Sequence, residues 1–196
     1  MKFKEIIGID VSKLSLEVHL HLNKASAAFS NDSDGIIKLL GWCEKHSGLK
    51  KEALFFVFEH TGLYSHQLAC MLTQLGMAYI MESGLEVKRS LGITRGKDDA
   101  IDAKKLAQYG YRRREELTPY ELADTEIQQL QGLLKLRDRL VKQRAGYKTS
   151  LQEQKRVLEA TDYLILFDVQ NQLVQQLSSH IKTIEAQIKA IVKASL

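Results

Sequence analysis

Pro119, the only proline of this 196-residue chain, separates two stretches whose apolar residues recur with different periods. Short apolar runs alternate with helical patterns before it, whereas apolar residues keep a helical spacing after it. Strands that alternate with helices favour parallel pairing through right-handed crossovers, and hence a sheet flanked by helices. We therefore predict an α/β domain with a mixed sheet over residues 1–115 and a long helical arm over residues 120–196.

The predicted strands of the first stretch differ in whether one or both of their faces are buried. Residues 4–11 form an almost continuous apolar run, which is typical of a strand buried on both faces. Residues 15–23 alternate, so Leu16 faces the core while His19 and His21 project from the polar face, where we expect solvent. Three more strands and four helices are predicted, the strands over 27–30, 53–58 and 78–81, and the helices from Ser33 and over 64–75, 84–91 and 98–113.

The stretch after Pro119 has the pattern of a coiled coil. Five apolar residues near the C-terminus recur at gaps of 4, 3, 4 and 3: Leu177, Ile181, Ile184, Ile188 and Ile191. We predict two long helices that turn near residues 161–169 and form a hairpin with an uncovered apolar seam. Such a seam favours a homo-oligomer, a dimer or larger. The alternative is an ordinary helical subdomain that packs on itself.

The positive charge of the chain is concentrated in one segment. The net charge is +4, but residues 135–156 hold eight basic and two acidic residues, a net charge of +6. The rest of the chain is therefore close to neutral. A basic helix face is typical of a polyanion-binding surface, and we predict nucleic-acid contacts at Arg137, Arg139, Lys142 and Arg144. A solvated helix face is the alternative.

Composition excludes several classes of protein. Two cysteines, Cys43 and Cys70, are too few for a disulfide framework or a zinc site, so we expect buried free thiols. No apolar run approaches the length of a membrane span, and the N-terminus leads directly into a strand pattern. We expect a cytoplasmic protein without membrane contact.

Four acidic residues are the candidates for chemistry. Asp10 lies in a buried strand pattern and Glu59 ends another, so neighbouring strands would place their carboxylates side by side. Asp99 and Asp102 are three residues apart and share one helical face. Four carboxylates suit a hard cation such as Mg²⁺, and two such ions can act together on a phosphodiester. The alternative is that these acids are caps and turn residues at a negatively charged helix N-terminus.

Basic residues surround these acids in the sequence. Arg95, Lys97, Lys104 and Lys105 could hold phosphates while the acids hold metal, as a nuclease-type site requires. Solvated charges are again the alternative.

Three sequence motifs contain the four acids. They are G-I-D-V-S-K at 8–13, E-H-T-G-L-Y at 59–64 and R-G-K-D-D-A-I-D-A-K-K-L-A at 95–107. Together they resemble the DEDD transposase family of RuvC-like recombinases, which includes the Piv DNA invertase and the bridge-RNA-guided insertion-sequence enzymes. The third motif matches the family pattern K-T-D-x-x-D-A, with Asp98 where the family usually has Thr or Ser. The resemblance spans about residues 5–196.

This resemblance implies an RNase H-like fold in which Asp10, Glu59, Asp99 and Asp102 bind Mg²⁺ or Mn²⁺. It implies metal-dependent cleavage and transfer of DNA strands during transposition, with DNA and a structured guide RNA as partners. Family members carry a nucleophilic serine in a C-terminal domain that this sequence does not contain. We therefore expect the chain to be the N-terminal part of such an enzyme, dependent on that domain for strand transfer.

Each of three other functions accounts for part of this pattern. A non-catalytic nucleic-acid-binding and oligomerisation module would explain the basic arm, and a RuvC-like junction resolvase would explain the acids. An actin-like ATPase is disfavoured, because Gly8-Ile9-Asp10 is followed by Val11-Ser12-Lys13 and not by a glycine turn.

Overall fold

The structure, a computed structural model, describes residues 3–91 and 99–194. The chain divides into two compact units, Met1–Leu122 and Ala123–Leu196. The first unit is an α/β sandwich and the second is a pair of helices. This arrangement confirms the predicted fold class, an RNase H-like mixed sheet with flanking helices followed by a helical arm.

The first unit contains five strands, four α-helices and one short 3-10 helix (Lys51–Ala53) in its described part. The strands and α-helices are numbered in chain order. They are β1 (Glu5–Val11), β2 (Ser15–Leu20), β3 (Ser26–Ser30), α1 (Ser33–Ser47), β4 (Leu54–Glu59), α2 (Leu63–Gln74), β5 (Ala78–Glu82), α3 (Gly84–Leu91) and α4 (Asp99–Arg112). The strand order is β3-β2-β1-β4-β5. The first three strands form an antiparallel meander, and β4 and β5 add to β1 in parallel.

The sheet is buried on both faces, as the apolar run of β1 predicts. Ile7 and Ile9 lie in the larger core, which includes residues of α1 and α2. Ile6 lies in a smaller core with Leu106 and Tyr109 of α4. We call this second side of the sheet the α4 face. Because side chains alternate along a strand, every second residue of β1 from Ile6 onwards belongs to it.

Local signals set the ends of several elements. The carboxylate of Asp32 caps α1 by accepting a hydrogen bond from the Gly35 amide at 2.7 Å, and the helix begins at Ser33 as predicted. β2 ends at Leu20 rather than Asn23, because the chain turns there through Lys24 in a left-handed conformation (φ 62°). Tyr120, the first residue of the predicted arm, belongs to the first unit, where its amide donates to the Tyr79 carbonyl at 2.7 Å.

The second unit is an antiparallel hairpin of α5 (Thr125–Val157) and α6 (Leu164–Ala194). The side chains buried between the helices include Leu151 of α5 and Ile181 and Ile184 of the predicted heptad seam. The two predicted long helices are confirmed, and the connection between them, residues 158–163, overlaps the predicted turn at 161–169. The prediction that the heptad seam is uncovered is wrong for Ile181 and Ile184, because both are buried. Among the described helices of the chain, none is both long enough and apolar enough to cross a membrane.

Candidate active site

Two parallel strands bring Asp10 and Glu59 side by side. β1 and β4 pair with Ile9 opposite Phe58, so Asp10 and Glu59, one residue further along each strand, lie at the same level. Both residues are partly buried. Asp10 is two residues from Gly8, which contacts α4, so its side chain belongs to the α4 face. The predicted neighbouring carboxylates of two strands are therefore present.

Helix α4 lies on the sheet with its backbone in contact with β1. A Cβ at Gly8 would lie 2.0 Å from the Ala103 carbonyl oxygen and 2.4 Å from the Ala107 amide nitrogen, so only glycine fits there. Further along, Gly110 makes the same kind of approach to Ile6. The helix therefore runs antiparallel to β1, and its N-terminal turn lies towards the carboxyl end of that strand.

Asp99 and Asp102 both belong to the N-terminal part of α4. Asp102 forms an ion pair with Lys105, with 2.9 Å between Oδ1 and Nζ. Asp99 is the first residue of the helix, and its side chain lies outside the described part of the chain. Among the described side chains, no three His, Cys, Asp or Glu residues lie close enough together to hold a metal ion. The donors are nevertheless carboxylate oxygens from two strands and one helix, which are the ligands that Mg²⁺ and Mn²⁺ prefer.

Two further acids extend the pair into a row across the sheet. Glu17 of β2 lies opposite Asp10, and Glu82 of β5 lies opposite Glu59. Directly opposed residues point to the same face, so the four carboxylates share the α4 face in the order β2, β1, β4, β5. We call Glu17, Asp10, Glu59 and Glu82 the acidic row. Like charges on neighbouring strands repel, and a cation among them would relieve the repulsion.

Sequence analysis missed Glu17 and Glu82 as neighbours of the candidate ligands. Glu17 carried a usable signal, because it alternates with Leu16 and so falls on the polar side of its strand. For Glu82 the only indication in the sequence is its position at the end of a strand, which it shares with Glu59. Neither position could be placed beside Asp10 or Glu59 without the strand order.

Specific neighbours contact the acidic row at β4 and β5. A Cβ at Gly84 would lie 2.7 Å from the Glu59 Oε2, so the absence of a side chain at the start of α3 makes room for this carboxylate. Tyr109 is fully buried, and its hydroxyl lies 2.6 Å from the Arg113 guanidinium. Burial raises the pKa of Tyr109, and a hydrogen bond with Glu82 raises this pKa further.

The prediction that His19 and His21 are solvated is wrong. His19 is only 5% exposed, and its Nδ1 lies 2.7 Å from the Ser26 hydroxyl. His21 stacks on Tyr111 of α4 with 4.1 Å between ring centroids. The polar side of β2 belongs to the α4 face, so a helix and not solvent covers these residues.

The predicted nucleic-acid contacts of the first unit fall into three groups. Lys104 is exposed on α4, whereas Lys105 is engaged with Asp102. Arg95 and Lys97 lie outside the described residues, as does the fifth acid, Asp98.

The predicted contacts on α5 also differ from one another. Arg137 is half-buried and pairs with Glu185 of α6, with 2.8 Å between Nε and Oε1. Arg144 is also half-buried, and its guanidinium lies 3.5 Å from the Ser178 hydroxyl. The side chains of Arg139 and Lys142 are exposed. Of the four predicted residues, these last two are the most accessible to a phosphate.

A family model supplies the identification. The sequence model of the DEDD transposase family of the IS110 type, whose description is Transposase, matches residues 7–159 of the chain. The chain belongs to this transposase family. The match covers more than half of the sequence and includes Asp10, Glu59, Asp99 and Asp102. No curated protein is significantly similar to the chain. Membership of a transposase family makes this protein one of a group of DNA-processing enzymes, and DNA is the partner that it implies.

Proposed function

We propose that the first unit is the catalytic domain of a DNA transposase, in which Asp10, Glu59, Asp99 and Asp102 bind Mg²⁺ or Mn²⁺ for DNA strand cleavage and transfer. One observation carries the proposal. Asp10 and Glu59 lie at the same level on two parallel strands, on the face where α4 begins. Acidic residues at the ends of β1 and β4 and at the start of α4, in a chain of a transposase family, support this assignment.

Each side chain has a distinct part in the proposed site. The carboxylates of Asp10 and Glu59 provide oxygen ligands from a rigid sheet, and Asp99 and Asp102 provide ligands from the helix. A bound divalent ion would neutralise the acids and polarise a phosphodiester. Lys105 neutralises Asp102 in the described structure. When a cation takes that role, the ammonium group of Lys105 becomes available to a DNA phosphate.

Metal binding by the intact chain tests the proposal without any assay of activity. Mn²⁺ is paramagnetic, so it should broaden the backbone NMR signals of residues next to Asp10, Glu59 and Asp102 before those of other regions. Asp10→Asn and Asp102→Asn should each weaken Mn²⁺ and Mg²⁺ binding at least tenfold by calorimetry. Glu44→Gln, an exposed acid on α1 on the other side of the sheet, is the matched control.

Two results would count against the proposal. Equal Mn²⁺ affinity in the wild type and both aspartate variants would remove these residues from the site. Broadening centred on a different part of the chain would move the site elsewhere.

The arm supports a second candidate function, a nucleic-acid-binding and oligomerisation module. Arg139 and Lys142 are exposed on the basic helix, which fits DNA or a structured guide RNA. Apolar side chains are exposed at the turn of the hairpin, notably Val157, Leu164 and Ile165. We propose that this turn, defined here by those three residues, takes part in pairing two copies of the chain.

Light scattering tests the pairing of two copies, and binding titrations test the nucleic-acid contacts. Ile165→Glu should shift a dimer towards monomer, while Glu153→Gln, on an exposed position of α5, should not. A monomeric wild-type chain would overturn the pairing. Titrations with duplex DNA and with hairpin RNA, each at several salt concentrations, show which polyanion the basic helix prefers, and affinity independent of salt would exclude phosphate contacts.

A further inference from the structure

A small cavity lies beside α4 on the α4 face of the first unit. Its volume is about 110 Å³, several times the roughly 30 Å³ that one water molecule occupies in the liquid. The cavity is lined by His19, His21, Lys24, Lys104 and Gln108. These residues contribute two ammonium groups, two imidazoles and an amide, and none of the five is acidic. The chemistry of this lining is therefore that of an anion site.

His19 is the buried polar group of the cavity. The residue is 5% exposed, and its Nε2 has no hydrogen-bond partner among the described residues. Its other nitrogen, Nδ1, is engaged by the Ser26 hydroxyl at 2.7 Å. A buried polar atom without a partner is unfavourable, so the position calls for a ligand atom that the described residues do not supply.

The neighbouring charges determine what that ligand atom can be. Burial first, and then the charges of Lys104 and Lys24, lower the pKa of His19 below its usual 6.5, which keeps the imidazole neutral. We assign the tautomer in which the Ser26 hydroxyl donates to Nδ1 and Nε2 carries the hydrogen. Nε2–H is then a donor close to two cations, a combination that suits an anionic oxygen.

Lys24 is present at a position where the backbone itself favours glycine. Its φ of 62° lies in the left-handed region, which is costly for a residue with a side chain. Lysine therefore does not stabilise the backbone conformation of the turn between β2 and β3. What lysine adds at this position is an ammonium group at the cavity. Lys24 and Lys104 are exposed, and a lysine side chain has a flexible four-carbon stem, so both can turn to admit an oxygen atom to Nε2.

The cavity is close to the acidic row. His19 lies opposite Gly8, and Asp10 is two residues further along β1, a separation of about 6.6 Å along the strand. Successive phosphates of one DNA strand rise by about 3.4 Å along the helix axis. A strand with one phosphate at Asp10 can therefore reach the cavity with a phosphate one or two nucleotides away.

We propose that the cavity lined by His19, Lys24, Lys104 and Gln108 binds one phosphodiester of the DNA strand that the acidic row receives. Nε2–H of His19 and the Gln108 amide donate to the phosphate oxygens, and the two lysines neutralise its charge. This subsite deepens the proposed function and rests on it for the identity of the strand. It orients the substrate and takes no part in bond breaking.

The test observes His19 directly in the whole chain. Long-range ¹H–¹⁵N NMR of the histidine side chains reports the tautomer and the environment of Nε2. A ten-nucleotide single-stranded DNA is titrated in EDTA, so the result does not depend on metal binding and fails separately from the proposed metal site. We expect the Nε2–H tautomer in the free protein and a saturable shift of the His19 signals with DNA.

Matched variants show whether the cavity is responsible. Lys104→Gln and Lys24→Gly should each weaken the DNA-dependent shift several-fold and lower the salt slope of binding by about 1. Lys24→Gly also removes the left-handed strain, so it should fold at least as well as the wild type. Lys38→Gln removes an equally exposed lysine from α1, on the other side of the sheet, and should leave the shift unchanged.

Three results would overturn the proposal. A shift of equal size with inorganic phosphate at the same concentration would make the cavity a site for free phosphate. No shift with either probe would mean that the cavity holds only solvent. Equal losses in Lys104→Gln and Lys38→Gln would show that general charge, and not the cavity, attracts the DNA.

Discussion

The α4 face of the first unit and the basic helix of the arm both concentrate charged side chains, but they hold them differently. On the α4 face, strand register fixes Asp10 beside Glu59, and a helix backbone lies directly on Gly8. On α5, neighbouring basic residues differ, since Arg137 is paired with Glu185 while Arg139 is exposed. A rigid sheet suits the positioning of ligands within fractions of an ångström, whereas an exposed helix suits long-range attraction of a polyanion.

The largest expected effect comes from adding a side chain where α4 lies on the sheet. Gly8→Ala should lower the free energy of unfolding of the first unit by about 3 kcal/mol, because the new Cβ would collide with backbone atoms of Ala103 and Ala107. It should also abolish Mn²⁺ binding, since α4 would have to move. Urea unfolding followed by the fluorescence of Trp42, the only tryptophan, measures the first unit.

The arm provides the matched control for this substitution. Gly132 and Gly146 lie within α5, and an added Cβ at either would meet no atom within 4 Å beyond the neighbouring backbone of the helix itself. Gly146→Ala should therefore stabilise the helix by about 0.5–1 kcal/mol, measured by circular dichroism at 222 nm. A tolerated Gly8→Ala would show that α4 is not seated on β1 as described.

The second effect concerns the buried histidines of the α4 face. The pKa of His19 and that of His21 are both lowered, chiefly by burial, so the unfolded chain binds protons more readily than the folded one. Stability of the first unit is then complete above pH 6.5 and decreases as the pH falls below that value. Stability should therefore fall between pH 7.5 and 5.5, and the fall should be smaller in His19→Gln.

The urea midpoint of the Trp42 transition is the proper measurement, because it does not depend on the fluorescence amplitude of Trp42, whose ring lies against His46. His180→Gln, an exposed position of α6, is the control and should leave the pH dependence of the first unit unchanged. Equal pH dependence in wild type and His19→Gln would mean that His19 is not buried as a neutral imidazole.

These histidines also show where prediction from the sequence stops. The alternation of β2 correctly separates Leu16 from His19, but it cannot say that α4, some eighty residues later, covers the polar side. The apolar run of β1 and the position of Glu59 at a strand end are local features, so the strands and their neighbouring acids were predictable. Glu82 joins the acidic row only through the order of the strands, which is a long-range property.

The same limit applies to the arm. The heptad spacing predicts which residues of α6 face its partner, and Ile181 and Ile184 are indeed buried. The spacing does not give the register between α5 and α6. That register decides that Arg137 meets Glu185, and so which arginines of a uniform basic run are already engaged.

A third, smaller effect should separate the paired arginine from the exposed one. Arg137→Ala should destabilise the arm by less than about 1 kcal/mol, because its ion pair with Glu185 is partly exposed. Arg139→Ala should leave stability unchanged and lower the salt slope of DNA binding by about 1. Circular dichroism melting and fluorescence anisotropy at several salt concentrations measure the two quantities. The same loss of DNA affinity in both variants would remove the distinction between paired and exposed arginines.

The smallest effect tests whether the acidic row carries unrelieved repulsion. Glu17 lies directly opposite Asp10, and opposed like charges in a sheet are destabilising by a few tenths of a kcal/mol. In EDTA, Glu17→Gln should therefore raise the stability of the first unit by about 0.5 kcal/mol, measured from the Trp42 urea midpoint.

Excess Mg²⁺ should stabilise the wild type and reduce the stability difference between wild type and Glu17→Gln, because a bound cation screens the acidic row whether or not Glu17 is charged. A stabilisation that persists unchanged in Mg²⁺ would place the cation away from Asp10, whereas no stabilisation in EDTA would mean that the row is already neutralised by other neighbours. An effect of Glu17→Gln that is the same in Mg²⁺ and in EDTA would contradict the proposed metal site. The absence of any effect in EDTA would contradict only the predicted repulsion between Glu17 and Asp10.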